Sequence, residues 1–231
     1  MTRIGCVADF VEECLGGAWE ELGKLKGREM NRLTLDADEL MTLALEDSLG
    51  VPDFMNIRCW VKESIRENHP AEFRRMFNSF FVVRRNEKWQ DVFYRLYDDF
   101  EADMRLALTK MWKGLEAVGE KPRIELSFLS KMMSTYRNDR PIWDQNVIKI
   151  VRNIGGPDLK VLAVGTKTER IRSAAEQYDR LVDWCQCYIK SAEGQRALQE
   201  FDRRCPHQCM CDMKKLDCLL WFAGGHMDCK Y

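Results

Sequence analysis

Apolar residues recur at helical spacing along almost the whole chain. Such stripes run over residues 7–22, 40–45, 54–65 and 73–81. A longer stripe, from Trp89 to Leu115, predicts a single helix at the centre of the fold. Glycine and proline separate these stripes by short connections, as in a compact helical domain. Since no segment with strand character has a pairing partner, we expect an all-α fold.

The second half of the chain opens with a helix that carries one lysine. Leu126, Leu129, Met133 and Tyr136 form its apolar face, which leaves Lys131 on the opposite, wetter side, free to face a cleft. Pro141 then begins a tight turn. Asp144 follows at the N-cap position of the next helix, which spans the apolar stripe 147–154. We expect the turn to bring Lys131 and Asp144 toward one another.

Glycine and proline divide the chain again after this helix. Gly155-Gly156-Pro157 ends it, and Leu159 to Gly165 is predicted to be a turn or loop. Ile171 to Ile189 has the pattern of a further amphipathic helix, continued by Ala197 to Phe201. The segment 165–168 is similar to part of a phosphate loop, but it lacks the full glycine pattern and the preceding strand.

Length and charge define the domain organisation and the candidate partners. The 231 residues suit one compact domain, with possible lobes 1–120 and 121–231 and a cysteine-rich tail at 205–231. No apolar run of membrane-spanning length and no signal segment is found, so we expect a cytoplasmic protein without membrane contact.

The net charge is −1, yet residues 121–172 hold eleven basic and five acidic residues. This excess favours a polyanionic ligand, or it is the ordinary charge of helical surfaces.

Two segments carry a family resemblance. They are Ser130-Lys131 with Arg140-Pro141-Ile142-Trp143-Asp144-Gln145-Asn146-Val147, and Phe201-Asp202-Arg203-Arg204 with Lys215-Leu216-Asp217-Cys218-Leu219-Leu220-Trp221. The chain resembles the helix-hairpin-helix DNA glycosylase superfamily, particularly its small bacterial oxoguanine-glycosylase-like proteins. The resemblance implies a two-lobed helical fold with a lysine nucleophile at Lys131 and a catalytic aspartate at Asp144. The glycine-rich hairpin that precedes the lysine in that superfamily is replaced here by residues 121–125.

The resemblance also implies a function. A monomeric protein of this kind excises a damaged base from DNA and cleaves abasic sites as a lyase, with Arg140, Trp143 and Asn146 as candidate substrate-binding residues. The pattern alone allows a plainer interpretation, in which Lys131 is a solvated charge and Asp144 only a helix cap. The alternative function is therefore a catalytically inactive helical module that binds nucleic acid or another protein.

Thiols cluster near the C-terminus. Cys205, Cys209, Cys211 and Cys218, with His207 among them, could hold a structural zinc ion, which would make the protein a zinc-stapled interaction module. Some members of the resembled superfamily carry a C-terminal four-cysteine iron–sulfur cluster, but the spacing here differs from that of the cluster. Free or buried thiols remain the other interpretation. No further cofactor is expected.

Overall fold

The structure, a computed structural model, describes residues 70–204 and 210–226. The predicted helices at 7–22, 40–45 and 54–65 lie outside the described residues, as do Cys205 and Cys209. The helix–turn–helix segment that carries Lys131 and Asp144 lies within them.

Every regular element in these two ranges is an α-helix, which confirms the predicted all-α class for this part of the chain. The helices are α1 (Pro70–Phe80), α2 (Glu87–Asp98), α3 (Met104–Ala117), α4 (Leu126–Tyr136), α5 (Gln145–Asn153), α6 (Lys167–Lys190), α7 (Ala192–Arg204) and α8 (Asp212–His226). None of these described helices combines the length and the apolar character that a membrane span requires.

The prediction of one long central helix from Trp89 to Leu115 was wrong. The chain forms α2 and α3 instead, with residues 99–103 between them. Asp103 begins α3, since its carboxylate accepts a hydrogen bond from the Leu106 amide at 2.8 Å. Phe100 leaves the helical path and stacks on Tyr136 at 4.2 Å between ring centroids. The apolar period continues across the break because both helices bury a face in the same core.

The buried side chains form two large apolar clusters. The first joins α1, α2, α3, α4 and α6, and it includes Phe73 and Phe77, which confirms that the aromatic stripe of α1 is core. The second joins α5, α6 and α8. Trp143, in the turn before α5, packs against both clusters. The division of the whole chain into two lobes stays a prediction.

The chain before α6 forms a loop, as predicted. Gly155, with φ +79°, follows the end of α5 in a conformation that favours glycine. The glycine–threonine segment at 165–168 is the start of a helix and not a phosphate loop. Thr166 caps α6, and its amide donates in return to Glu169 Oε2 at 2.8 Å, which completes a capping box.

Helices α5 and α8 approach closely at Gly224. A Cβ added to Gly224 would lie 2.2 Å from the backbone oxygen of Asn146, far inside contact distance. Because Asn146 belongs to the first turn of α5, this approach places the start of α5, and with it Asp144, directly against α8.

Candidate active site: a partly buried lysine–aspartate pair

Lys131 and Asp144 meet across the turn that joins α4 and α5. Lys131 Nζ lies 3.2 Å from Asp144 Oδ2 and also donates to Ser127 Oγ at 3.0 Å. The two residues are thirteen positions apart in sequence, and the turn between α4 and α5 brings their side chains into contact. The predicted approach of the amine and the carboxylate is confirmed.

The predicted exposure of Lys131 was wrong. The residue is only 9% exposed, and α4 is buried on nearly all sides. The apolar stripe does not indicate this burial, because the polar side of α4 also has partners inside the protein. Tyr97 forms a hydrogen bond with Thr135 Oγ1, and Ser134 Oγ accepts from Lys214 Nζ at 2.6 Å. Lys131 therefore occupies a partly desolvated site rather than open solvent.

Aromatic rings surround the ammonium group of Lys131. Its Nζ lies 5.5 Å from the ring centroid of Phe128 and 5.8 Å from that of Phe81. Phe81 packs on Phe77 at 4.6 Å, and Phe128 packs edge-on against Trp89 at 4.9 Å. Both rings are thus fixed by the core behind them, and they present π faces or edges within cation–π range of the lysine.

Asp144 is the N-cap of α5, as predicted. Its Oδ1 accepts a hydrogen bond from the Asn146 amide at 3.0 Å, which leaves Oδ2 for Lys131. A carboxylate at a helix N-terminus is stabilised by the free amides and by the helix dipole. The cap therefore fixes the orientation of the carboxylate that faces the lysine.

A second ion pair also lies close to Phe128. Arg85 Nη2 bonds Glu125 Oε2 at 3.1 Å, and the guanidinium lies 5.4 Å from the Phe128 ring centroid. Glu125 is buried and also accepts from Trp89 Nε1 at 3.1 Å. Phe128 thus lies within reach of two cations, each of which has its own carboxylate.

Side chains of three helices form hydrogen bonds with the backbone of the turn before Asp144. We call residues 140–143 the anchored turn. The four bonds run from Lys214 to the Arg140 oxygen, from Tyr178 Oη to the Pro141 oxygen at 2.9 Å, from the Ile142 amide to Asp217 Oδ1 at 3.0 Å, and from the Trp143 amide to Ser130 Oγ at 2.9 Å. Four consecutive residues are therefore each fixed by a different side chain, contributed by α4, α6 and α8.

Lys214 and Asp217 form a buried ion pair on α8 that the sequence analysis missed. Lys214 Nζ lies 3.0 Å from Asp217 Oδ2, and the two side chains are 0% and 5% exposed. Burial raises the pKa of the Asp217 carboxyl, whereas the Lys214 ammonium and the Ile142 amide act in the opposite direction. The sequence offered only the opposite charges of Lys214 and Asp217 at spacing i and i+3, a spacing that Asp212 and Lys215 share on the same helix.

The predicted substrate-binding residues have different surroundings. Trp143 is partly buried and packs against both apolar clusters, and the backbone amide of Asn146 donates to Asp144 Oδ1. The Arg140 side chain lines a groove of about 220 Å³ together with Arg105, Arg172 and Asp179, among others. Neither Lys131 nor Asp144 lines that groove. The structure thus gathers Trp143 and Asn146 around Asp144 and directs Arg140 elsewhere.

The predicted zinc ligands are only partly described. Cys211 Sγ donates to the Asn138 oxygen at 3.3 Å, whereas Cys218 packs against the apolar cluster of α7 and α8 that includes Phe201. Within residues 70–204 and 210–226, no three potential ligands converge on a common point. Because Cys205 and Cys209 fall outside those ranges, the zinc site stays a prediction.

No known protein family, curated protein or solved structure matches this chain. The membership in the glycosylase superfamily that the motif implies therefore stays a prediction. The geometry of the partly buried pair of Lys131 and Asp144 is what indicates a function.

Proposed function

We propose that the protein is a DNA glycosylase with abasic-site lyase activity and that Lys131 is its nucleophile. The observation that carries the proposal is the distance of 3.2 Å between Lys131 Nζ and Asp144 Oδ2 in a partly desolvated site. Lysine nucleophiles act from sites of this kind, where a neighbouring group can take up their proton.

The chemistry requires an amine, a proton acceptor and a stabiliser of positive charge. The neutral amine of Lys131 attacks the anomeric carbon of an extruded nucleoside, a new carbon–nitrogen bond forms, and the base leaves with the electron pair of the glycosidic bond. Asp144 takes up the proton that Lys131 loses and passes it to the departing base; the carboxylate, charged again, then opposes the positive charge that grows on the sugar. Ring opening then gives an imine, from which elimination of the 3′ phosphate cleaves the strand.

The surroundings of the pair support a nucleic-acid substrate. The rings of Phe81 and Phe128 are partly buried and backed by the core, so an extruded base that stacked on either ring would lie beside the lysine amine. The local excess of basic residues over 121–172 supplies the charge that a phosphate backbone requires.

Borohydride trapping tests the proposal. Reduction of the imine on DNA that contains an abasic site should convert the wild-type protein into a stable covalent complex. Lys131→Gln should abolish this complex, and Asp144→Asn should slow its formation by about 100-fold, because the proton acceptor and the charge stabiliser are lost.

The chain provides a matched control for the lysine substitution. The Lys215 side chain is 10% exposed, against 11% for Lys131, and its Nζ lies 2.7 Å from Asp202 Oδ2. Lys215→Gln removes an equally buried, carboxylate-paired lysine and should trap like the wild type. A wild-type protein that binds the same DNA without being trapped would favour the non-catalytic binding module.

A further inference from the structure

The buried ion pair of α8 makes two hydrogen bonds to the backbone of the anchored turn before Asp144. Lys214 Nζ has three acceptors, namely Ser134 Oγ at 2.6 Å, Asp217 Oδ2 at 3.0 Å and the Arg140 oxygen. An ammonium group has three protons to donate, so each proton has a partner. Asp217 accepts from Lys214 with one oxygen and from the Ile142 amide with the other.

We infer that Lys214 and Asp217 are positioning residues that hold Asp144 opposite Lys131. The chain of contacts is short, because Ile142 is two residues before Asp144 and the Lys214 ammonium also fixes Ser134, one turn along α4 from Lys131. The pair therefore fixes the helix of the amine and the turn of the carboxylate against one another. The catalytic consequence rests on the proposed function, whereas the geometric claim does not.

The effect of this pair on the position of the anchored turn can be separated from its effect on the stability of the fold. A buried ion pair replaced by apolar side chains of similar volume often leaves a protein as stable as before. Methionine and leucine, however, cannot bond the Arg140 oxygen or the Ile142 amide. Of its four hydrogen bonds to side chains, the anchored turn would then keep two. The Pro141 oxygen would still accept from Tyr178, and the Trp143 amide would still donate to Ser130. A folded double variant with a loosened turn is the expected product.

The first test measures hydrogen exchange of the DNA-free protein in peptides that span residues 137–147. Lys214→Met/Asp217→Leu should speed amide exchange there by at least about tenfold, with no change in α2 and α3. Lys215→Met/Asp202→Leu is the control, since the bonds of Lys215 go to Asp202 and Asp212 rather than to the turn. Exchange at the wild-type rate in the folded double variant would overturn the inference.

The second test measures trapping on abasic-site DNA at saturating concentration. The same double variant should form the covalent complex at least about tenfold more slowly, while its dissociation constant for DNA stays within about twofold, because the groups that touch DNA are retained. A wild-type trapping rate in this variant would also overturn the inference. A wild-type protein that never traps refutes the proposed function instead, and exchange alone then decides the positioning role.

A milder variant covers the case in which the double variant does not fold. Asp217→Asn keeps the shape of the side chain but has one neutral acceptor oxygen where the carboxylate has two, so either Lys214 or the Ile142 amide loses its partner. It should speed exchange over residues 137–147 by about threefold. Unchanged exchange in this variant would overturn the inference as well.

Discussion

Lys214→Met should destabilise the fold strongly, because it leaves the Asp217 carboxylate buried without its partner. Asp217 is 4% exposed, and its remaining partner for a negative charge is the Ile142 amide. Breaking a buried ion pair by removal of one member costs about 3–5 kcal/mol. The variant has one way to limit this cost, which is to keep Asp217 protonated in the folded state.

The protonated route has a cost that depends on pH. Burial already raises the pKa of Asp217 in the wild type, and the loss of Lys214 removes a group that opposes this effect. An unfolded aspartate has a pKa of about 3.9, and holding it protonated costs about 1.4 kcal/mol for each pH unit above that value. The cost of keeping Asp217 protonated is thus about 4 kcal/mol at pH 7 and about 1.5 kcal/mol at pH 5. The hydrogen bonds of Lys214 to Ser134 and the Arg140 oxygen are also lost, and this part of the cost does not depend on pH.

The sign of this pH dependence follows from linkage. In the variant, the folded state binds the Asp217 proton more tightly than the unfolded state does, so the stability deficit shrinks as pH falls and grows as pH rises. Urea unfolding of wild type and variant at pH 5 and pH 7 measures the two differences. Lys215→Met, which breaks a pair whose aspartate is 53% exposed, should cost no more than about 1 kcal/mol at either pH.

Two results would refute this reasoning. One is a Lys214→Met variant within about 1 kcal/mol of the wild type at pH 7, which would mean that the carboxylate is not desolvated. The other is a large deficit that is the same at both pH values, which would exclude proton uptake by Asp217.

Three further predictions follow from packing and burial. Gly224→Ala should destabilise the protein by about 1–3 kcal/mol in urea unfolding, because its Cβ would lie 2.2 Å from a backbone oxygen of α5; a neutral effect would mean that α8 is free to shift. Alkylation of the native protein should label Cys187, which is exposed, and spare Cys185, whose thiol pKa is raised by burial; equal labelling of both would contradict the packing of α6. Burial raises the pKa of Tyr97 and Tyr178, so the folded state keeps phenol protons that the unfolded state loses above about pH 10. Stability should therefore fall as pH rises beyond that point, with the tyrosinate absorbance of Tyr97 and Tyr178 missing from the folded protein and appearing on unfolding.

The helical spacing of apolar residues was sufficient to predict the buried face of a helix where that helix packs against a single apolar cluster. It predicted the buried stripe of α1 at Phe73 and Phe77 and the long amphipathic face of α6. Capping chemistry was equally local: Asp144 occupies the N-cap that its position before the stripe of α5 indicated. The approach of Lys131 to Asp144 followed from these local features, because the helices and the turn between them leave little freedom.

The errors of the sequence analysis came from contacts that local pattern does not contain. The local pattern places Lys131 on a solvent-facing side of α4. The polar side of α4 instead contacts residues that are distant in sequence: Lys214, for example, is eighty positions away from Ser134, to which it donates a hydrogen bond. The apolar stripe continued from α2 into α3 through a break that Asp103 and Phe100 create. The anchored turn was not predictable for the same reason, since two of its four bonds come from α8.

The most direct measurement is the identification of the residue that carries the reduced sugar adduct. Wild-type protein trapped with borohydride on abasic-site DNA is digested with nuclease and trypsin, and the modified peptide is sequenced by mass spectrometry. If Lys131 is the nucleophile, a single adduct on Lys131 is expected, with loss of tryptic cleavage after that residue. An adduct on another lysine, or DNA that stays bound without any adduct, would contradict this role of Lys131.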